Sequence, residues 1–424
     1  MKVDAARLHA RLAELATIGD TGDGGVCRLA LTDEDKAGRD LVVTWMRDLG
    51  MRVEIDEIGN ITGTWPPEST EPPVMVGSHI DTVRTGGRFD GNLGVLAGLE
   101  CIETLITAGV ELAHPVAVTA FTDEEGSRFP PDMLGSLVFV GGMGIEDAVA
   151  LTDRDGITVG DELERIGYAG PTPCPRLPPV AYVELHIEQG PVLEAEGITI
   201  GAVTGVQGIS WQEVTLTGQS NHAGTTPMHL RHDAGLVAAE IAVAMRELAV
   251  APDGPSVATV GRLDLHPDLV NVVPGRAVLT LDIRDTDDAV LTAAEKRIAD
   301  RCAELAEAEG VTLSTRSLAR FEPVAFDPRM IDLVEAVAKA HGHTVKRLPS
   351  GAGHDAQMLA RVCPTGMIFV PSIDGISHNP AERTAPDDLE AGANVLLDLL
   401  LELATNSTQR RVESVASSGE GGAS

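Results

Sequence analysis

The chain has 424 residues, more than one hydrophobic core usually serves, so two domains are expected. Only 3% of it is aromatic, which leaves the cores to Ala, Val, Leu and Ile. A formal charge of −32 opposes binding to nucleic acid or to an anionic membrane and favours solubility.

The opening stretch, MKVDAARLHARLAELATIG, has helical periodicity and lacks both an apolar h-region and a small-residue cleavage site. No segment approaches the roughly eighteen uninterrupted apolar residues of a membrane span, so a cytoplasmic protein is expected. DEDKAGRDLVVTWMRDLG reads as a second helix with Gly50 as its C-cap. RVEIDEIGNITGTW alternates like two strands joined by a turn at Gly59-Asn60. The runs PVMVGSHI, PVAVTAFT and VAYVELHI read as buried strands, and GVLAGLECIETLITAG as a crossover helix between the first two. That rhythm predicts an α/β domain.

From Ile209 the texture changes. SWQEVTLTG, SVATVGRLDL, AVLTLDIRD and VTLSTRSLARF read as strands, with helices at DAGLVAAEIAVAMRELAV and DAVLTAAEKRIADRCAELAEAEG. The order β-α-β-β-α-β is ferredoxin-like and complete in itself, so an inserted α+β domain is expected over 209–321. PRMIDLVEAVAKAHG, PTGMIFVPS and PDDLEAGANVLLDLLLELAT then resume the first pattern. The fold class is therefore α/β, with a mixed sheet flanked by helices in a discontinuous domain of residues 1–208 and 322–405. The last stretch, 406–424, is small, polar and rich in Gly and Ser, and reads as a disordered tail. Cys27, Cys101, Cys174, Cys302 and Cys363 form no C-x-x-C pair and read as mostly inert thiols rather than disulfides or zinc ligands.

In open α/β sheets, ligands gather outside the carboxyl ends of the strands. His79 and Asp81 follow PVMV, Asp123 to Glu125 follow VAVTAFT, His186 ends VAYVEL, and His378 follows MIFVPS. Asp90 lies in GGRFDGNLG, whose glycines let backbone approach a bound group. Each alone has an ordinary explanation: a packed histidine, a solvated acidic loop, a turn-rich surface segment. Their recurrence at one sheet edge points to a pair of divalent metals sharing a carboxylate, a little under 4 Å apart, roughly 3.5–4 Å. Asp81 could fix the His79 tautomer, and Glu124 could take a proton from water.

The stretches GSHIDTVRTGGRFDGNLGVLAGLE, DEEGSRF, ELHIEQGPVLE, GQSNHAGTTPM and SGAGHDAQ resemble the amidase, or hydantoinase/carbamoylase, branch of the dinuclear metallopeptidase superfamily. That branch holds N-carbamoyl-L-amino-acid hydrolases, β-ureidopropionases and allantoate amidohydrolases. The resemblance implies one metal on His79, Asp90 and His186 and another on Asp90, Glu125 and His378, with Glu124 as general base and Asp81 supporting. It implies two divalent ions per subunit, Zn2+ foremost, with Mn2+, Co2+ and Ni2+ also compatible. Substrate contacts fall on Gln189, His222, Asn271, Arg284 and Gly353, with His222 also a catalytic donor to the oxyanion. Arg284 can grip a carboxylate bidentately, although it can equally pair with Asp282 or Asp285, and Asn271 can equally cap a turn.

The resemblance further implies a lid and dimer interface in the insertion, a homodimer, and a small-molecule substrate bearing a carboxylate. The reaction it implies is hydrolysis of N-carbamoyl-L-amino acids, with allantoate or carbamoyl-β-alanine as alternatives. An aminoacylase or peptidase is opposed by His186 where those enzymes often have Asp, and a non-catalytic binding protein by the presence of every ligand and the base. Two departures stand out: Asp123 ahead of the glutamate pair, and the lack of a basic residue after the Gly-Ser of LGSLVFVGG.

Overall fold

The computed structural model of the chain describes residues 1–405, and the stretch read as a disordered tail, 406–424, lies outside the described residues. Two compact units divide the chain: residues 1–204 with 326 onward, and residues 205–325. The strands in chain order are β1 (Arg52–Ile55), β2 (Ile61–Trp65), β3 (Val74–His79), β4 (Val116–Phe121), β5 (Ala181–Ile187) and β6 (Ile200–Val206). β7 (Gly208–Thr217), β8 (Asn221–His222), β9 (Val257–His266), β10 (Val272–Val273), β11 (Arg276–Asp285), β12 (Thr312–Phe321) and β13 (Val324–Ala325) follow. β14 (Val345–Ser350) and β15 (Thr365–Val370) return to the first unit.

In the first unit the sheet runs β1-β2-β4-β3-β5-β15-β6, with β14 also on β6. β4, β3, β5 and β15 are mutually parallel, and antiparallel neighbours flank them on both sides. Every residue of these four strands is buried, as expected of a parallel sheet with both faces covered. The helix Asn92–Ala108 is buried almost all round, so its sequence shows little amphipathic contrast. It lies close to the sheet because a Cβ on Gly94 would stand 2.7 Å from the Leu185 carbonyl oxygen. The first helix, Ala5–Leu15, is pinned to it by Arg7, whose Nη2 reaches the buried Glu100 Oε1 at 2.6 Å. Gly59, in the expected turn between β1 and β2, has φ +86°, and Gly50, with φ +70°, follows the helix Asp33–Asp48.

The inserted unit carries a four-stranded antiparallel sheet in the order β12-β7-β11-β9, the split βαββαβ arrangement. The helices Ala234–Val250 and Asp288–Glu309 supply Val237, Ile241, Leu291 and Ile298 to a core shared with Leu216, Leu279 and Ile283. That core is aliphatic, as the composition requires, and each such side chain contributes about 1.5–3 kcal/mol on burial. Asp233 starts the first of these helices by accepting the N–H groups of Gly235 and Leu236.

The glycine-bearing strand β6, the strand β14 and the short helices Leu134–Phe139, Val159–Ile166 and Val192–Glu196 were not anticipated from the sequence. Elements of five to eight residues are too brief for a 3.6-residue period to declare itself. All five cysteines are free, and burial pushes the thiols of Cys174 and Cys302 up to about 12 and about 11. Among the described residues no helix is long and apolar enough to cross a membrane.

Candidate metal centre

Each of the four parallel strands delivers one part of a single cluster at its carboxyl end. His79 is the last residue of β3, Glu124 and Glu125 follow β4, His186 lies at the end of β5, and His378 follows β15. Asp90 enters from the loop before the helix Asn92–Ala108. His79 Nε2 and His186 Nε2 lie 3.6 and 3.2 Å from Asp90 Oδ1. The other oxygen, Oδ2, lies 3.3 Å from His378 Nε2, which is 3.4 Å from Glu125 Oε2. His79, Asp90 and His186 thus form one group of converging donor atoms, and Asp90, Glu125 and His378 a second. Asp90 is common to both.

Backbone carbonyls orient the rings. His79 Nδ1 lies 2.9 Å from the Asp81 carbonyl oxygen and His186 Nδ1 lies 2.8 Å from that of Ile187, which puts the ring protons on Nδ1 and turns Nε2 toward Asp90. The Asp81 carboxylate, expected to set the His79 tautomer, stands farther off, 3.8 Å from Nδ1. Its two oxygens instead accept the backbone N–H groups of Glu124 at 3.2 Å and Glu125 at 3.3 Å. Glu124 Oε2 lies 3.4 Å from His79 Nε2, beside the donor groups. Gly91 has φ +65°, and a Cβ there would sit 2.4 Å from the His79 ring, so only glycine lets the Asp90 loop close on the imidazole.

The electrostatics call for cations. Asp90, Glu124 and Glu125 are crowded together, and their ion-pair partners are imidazoles. Burial works against the charge on Asp90, but the imidazoles of His186, His378 and His79 against it hold its carboxyl well below the usual range. Burial raises Glu124 well above its usual value, and burial followed by the Asp90 charge lifts Glu125 to about 8. Asp90 is the leading cause of a rise in His378 to about 9. Protons therefore hold the places that divalent ions would take. A mixed imidazole and carboxylate donor set fits two such ions, one on His79, Asp90 and His186 and one on Asp90, Glu125 and His378.

Gln189 donates from Nε2 to Asp90 Oδ2 at 2.7 Å, and Gly353 lines the same cleft of about 120 Å3 with Asp132 and His354. The other three residues singled out for substrate lie on the inserted unit. His222 is exposed, and its Nδ1 accepts the Gly224 N–H at 3.0 Å, which leaves the proton of the neutral ring on Nε2 as a donor. Asn271 is beside it: β8 pairs with β10, and Ala223 N–H donates to the Asn271 carbonyl at 2.9 Å. Arg284 Nη2 pairs with Asp282 Oδ2 at 2.9 Å, the partnership open from the sequence, and its guanidinium lies 5.8 Å from the Trp211 ring centre.

Besides Asp132, four polar residues around the centre that escaped the sequence reading make hydrogen bonds or ring contacts there. Glu184, two residues before His186 and so on the same face of β5, accepts Ser78 Oγ at 2.7 Å and the Ala356 N–H at 2.8 Å. His354, adjacent to Gly353, packs edge-on against His186 with ring centres 4.6 Å apart and bonds Ser350 Oγ at 2.8 Å. Since Glu184 and His354 are already partnered, they read as a polar wall behind His186. Ser377 and Glu382, which flank His378, stand against Asp90. The strand alternation was the available signal for Glu184, and His354 lies within the SGAGHDAQ stretch; no comparable signal marks Ser377 and Glu382. Asp123 is fully buried with φ +55°, and burial raises its carboxyl well above the usual range.

Residues 75–402 match the model of peptidase family M20/M25/M40. The chain is 43% identical to an N-carbamoyl-L-amino-acid amidohydrolase of Rhizobium meliloti, over 95% of this chain and 97% of that one. It is 37% identical to the allantoate amidohydrolase of Escherichia coli (strain K12), over 92% and 96%. A crystal structure of a hydantoinase/carbamoylase family amidase from Burkholderia multivorans superposes with a TM-score of 0.92 at 48% identity, over 96% of this chain and 99% of that one. With this donor arrangement, the chain belongs to peptidase family M20/M25/M40, in its hydantoinase/carbamoylase branch of amidohydrolases.

Proposed function

We propose that this protein hydrolyses N-carbamoyl-L-amino acids, consuming one water and giving the free amino acid, carbon dioxide and ammonia. The observation that carries the reading is Asp90 shared between two donor sets with Glu124 beside them. Two divalent cations, Zn2+ foremost and Mn2+, Co2+ or Ni2+ as alternatives, would supply Lewis-acid polarisation of the carbonyl and a more acidic water. Glu124 takes the proton from the attacking water and returns it to the leaving nitrogen. Asp81 holds the backbone of Glu124 and Glu125, so the base and a ligand keep one fixed spacing. His222 donates from Nε2 to the carbonyl oxygen as negative charge develops there, from the same chain or from a second copy.

Gln189 and Gly353 line the cleft for the carbamoyl end, while Arg284 and Asn271 take the substrate carboxylate. The reading includes a cytoplasmic homodimer joined through the inserted unit, a role supported by Val243, Val250 and Val257, which that unit leaves exposed. The test is ammonia release from N-carbamoyl-L-amino acids, carbamoyl-β-alanine and allantoate on one metal-loaded sample. Turnover of allantoate alone would reassign the substrate, and turnover of none would refute the reading.

A further inference from the structure

A carboxylate that serves two cations must hold both oxygens in place, and beside Gln189 two further residues outside the donor sets meet Asp90. Glu382 is 2% exposed. Its Oε1 accepts the backbone N–H groups of Phe89 at 3.0 Å and Asp90 at 3.2 Å. Its Oε2 lies 3.0 Å from Ser377 Oγ, which in turn lies 3.0 Å from Asp90 Oδ2. Glu382 thus grips the main chain of the Asp90 loop, while Ser377 contacts the side-chain oxygen that faces His378. The fit is close: a Cβ on Gly87 would stand 2.0 Å from Glu382 Oε1, so the glycine makes room for the carboxylate.

Both residues belong to the segment that presents His378, and the Glu382 N–H closes a turn onto the Asn379 carbonyl at 2.9 Å. One loop therefore brings a donor of the second set and a brace for the residue common to both. We propose that Ser377 and Glu382 are positioning residues that fix Asp90 as the bridging ligand, so that they set the affinity of both cation positions together. The proposal rests on the two-cation reading above.

Its signature separates it from loss of an ordinary ligand. Removing His378 strips a donor from one position, whereas loosening Asp90 weakens both. Metal-free protein is titrated with Zn2+ against a chromophoric chelator for the unaltered chain and for S377A, E382A, E382Q and H378A. Far-UV circular dichroism and thermal unfolding of the metal-free proteins establish that each is folded. S377A and E382A are expected to weaken both binding steps by about 10- to 100-fold, the range for lost outer partners of metal ligands. E382Q keeps an acceptor oxygen for the two amides and falls between them and the unaltered chain; H378A weakens one step. Unchanged affinities in folded S377A and E382Q, or loss confined to one step, overturn the proposal; if E382A fails to fold, these two variants decide it. Fewer than two ions on the unaltered chain would instead defeat the two-cation reading, and this proposal with it.

Discussion

The carboxylate of Asp81 accepts the backbone N–H of Glu124 at 3.2 Å, and its second oxygen accepts that of the next residue, Glu125, at 3.3 Å. A carboxylate can receive two N–H groups at once, whereas an asparagine amide offers one acceptor and turns an NH2 toward the other donor. Asp81→Asn is therefore expected to lower kcat by about 10- to 100-fold through misplacement of the glutamate pair. Kinetics and elemental analysis on one preparation check this; a variant with unaltered kcat contradicts the role.

Glu124 stands beside the donor groups but belongs to neither converging set. Glu124→Gln preserves its shape and removes its basicity, so turnover should drop by about 100- to 10,000-fold while two ions remain bound. Single-turnover assays on metal-loaded protein measure the loss.

Metal uptake should release protons. Burial and the Asp90 charge hold Glu125 up to about 8, and Asp90 foremost holds His378 up to about 9, so both carry protons at neutral pH. Cations need the neutral imidazole and the ionised carboxylate. Raised values mean that the protons are present below those pH values and leave as pH rises through them. Release of these two protons is thus full at neutrality and below and declines as pH rises through about 8 and 9. Calorimetric titration in buffers of different ionisation enthalpy reads it out, and buffer-independent heats at pH 7 would contradict it.

Gly91 tests the packing of the Asp90 loop against His79. Alanine there would adopt an unfavourable positive φ and push a methyl group into the ring. Gly91→Ala should destabilise the metal-free protein by about 1–3 kcal/mol and weaken metal binding, as urea unfolding and chelator competition would reveal.

The Arg284 fork is already oriented by Asp282 and lies against Trp211. Lysine keeps the charge and loses the planar pair of donors. If Arg284 grips the substrate carboxylate equally before and during the reaction, Arg284→Lys raises KM by about 10-fold or more and changes kcat little. Steady-state kinetics on an N-carbamoyl-L-amino acid would separate the two constants.

Much of the architecture was legible because buried strands and long helices write their periodicity locally. PVMV, VAVTAF and AYVEL are short, mostly apolar runs that read as covered strands or buried helix, and flanking turn residues decided between them. The polar groups that end those runs were legible for the same reason, since a parallel sheet gathers its strand ends at one edge. Residue type and position relative to a strand sufficed to nominate His79, Glu124, Glu125, His186 and His378. What only the tertiary structure decided is which atom faces which. Asp81 turns its carboxylate to the backbone after β4 and gives His79 its carbonyl, while Glu382 reaches a loop almost three hundred residues earlier in the chain. Hydrogen-bond pairing depends on distances of a few tenths of an ångström between segments remote in sequence, and local periodicity carries no record of them.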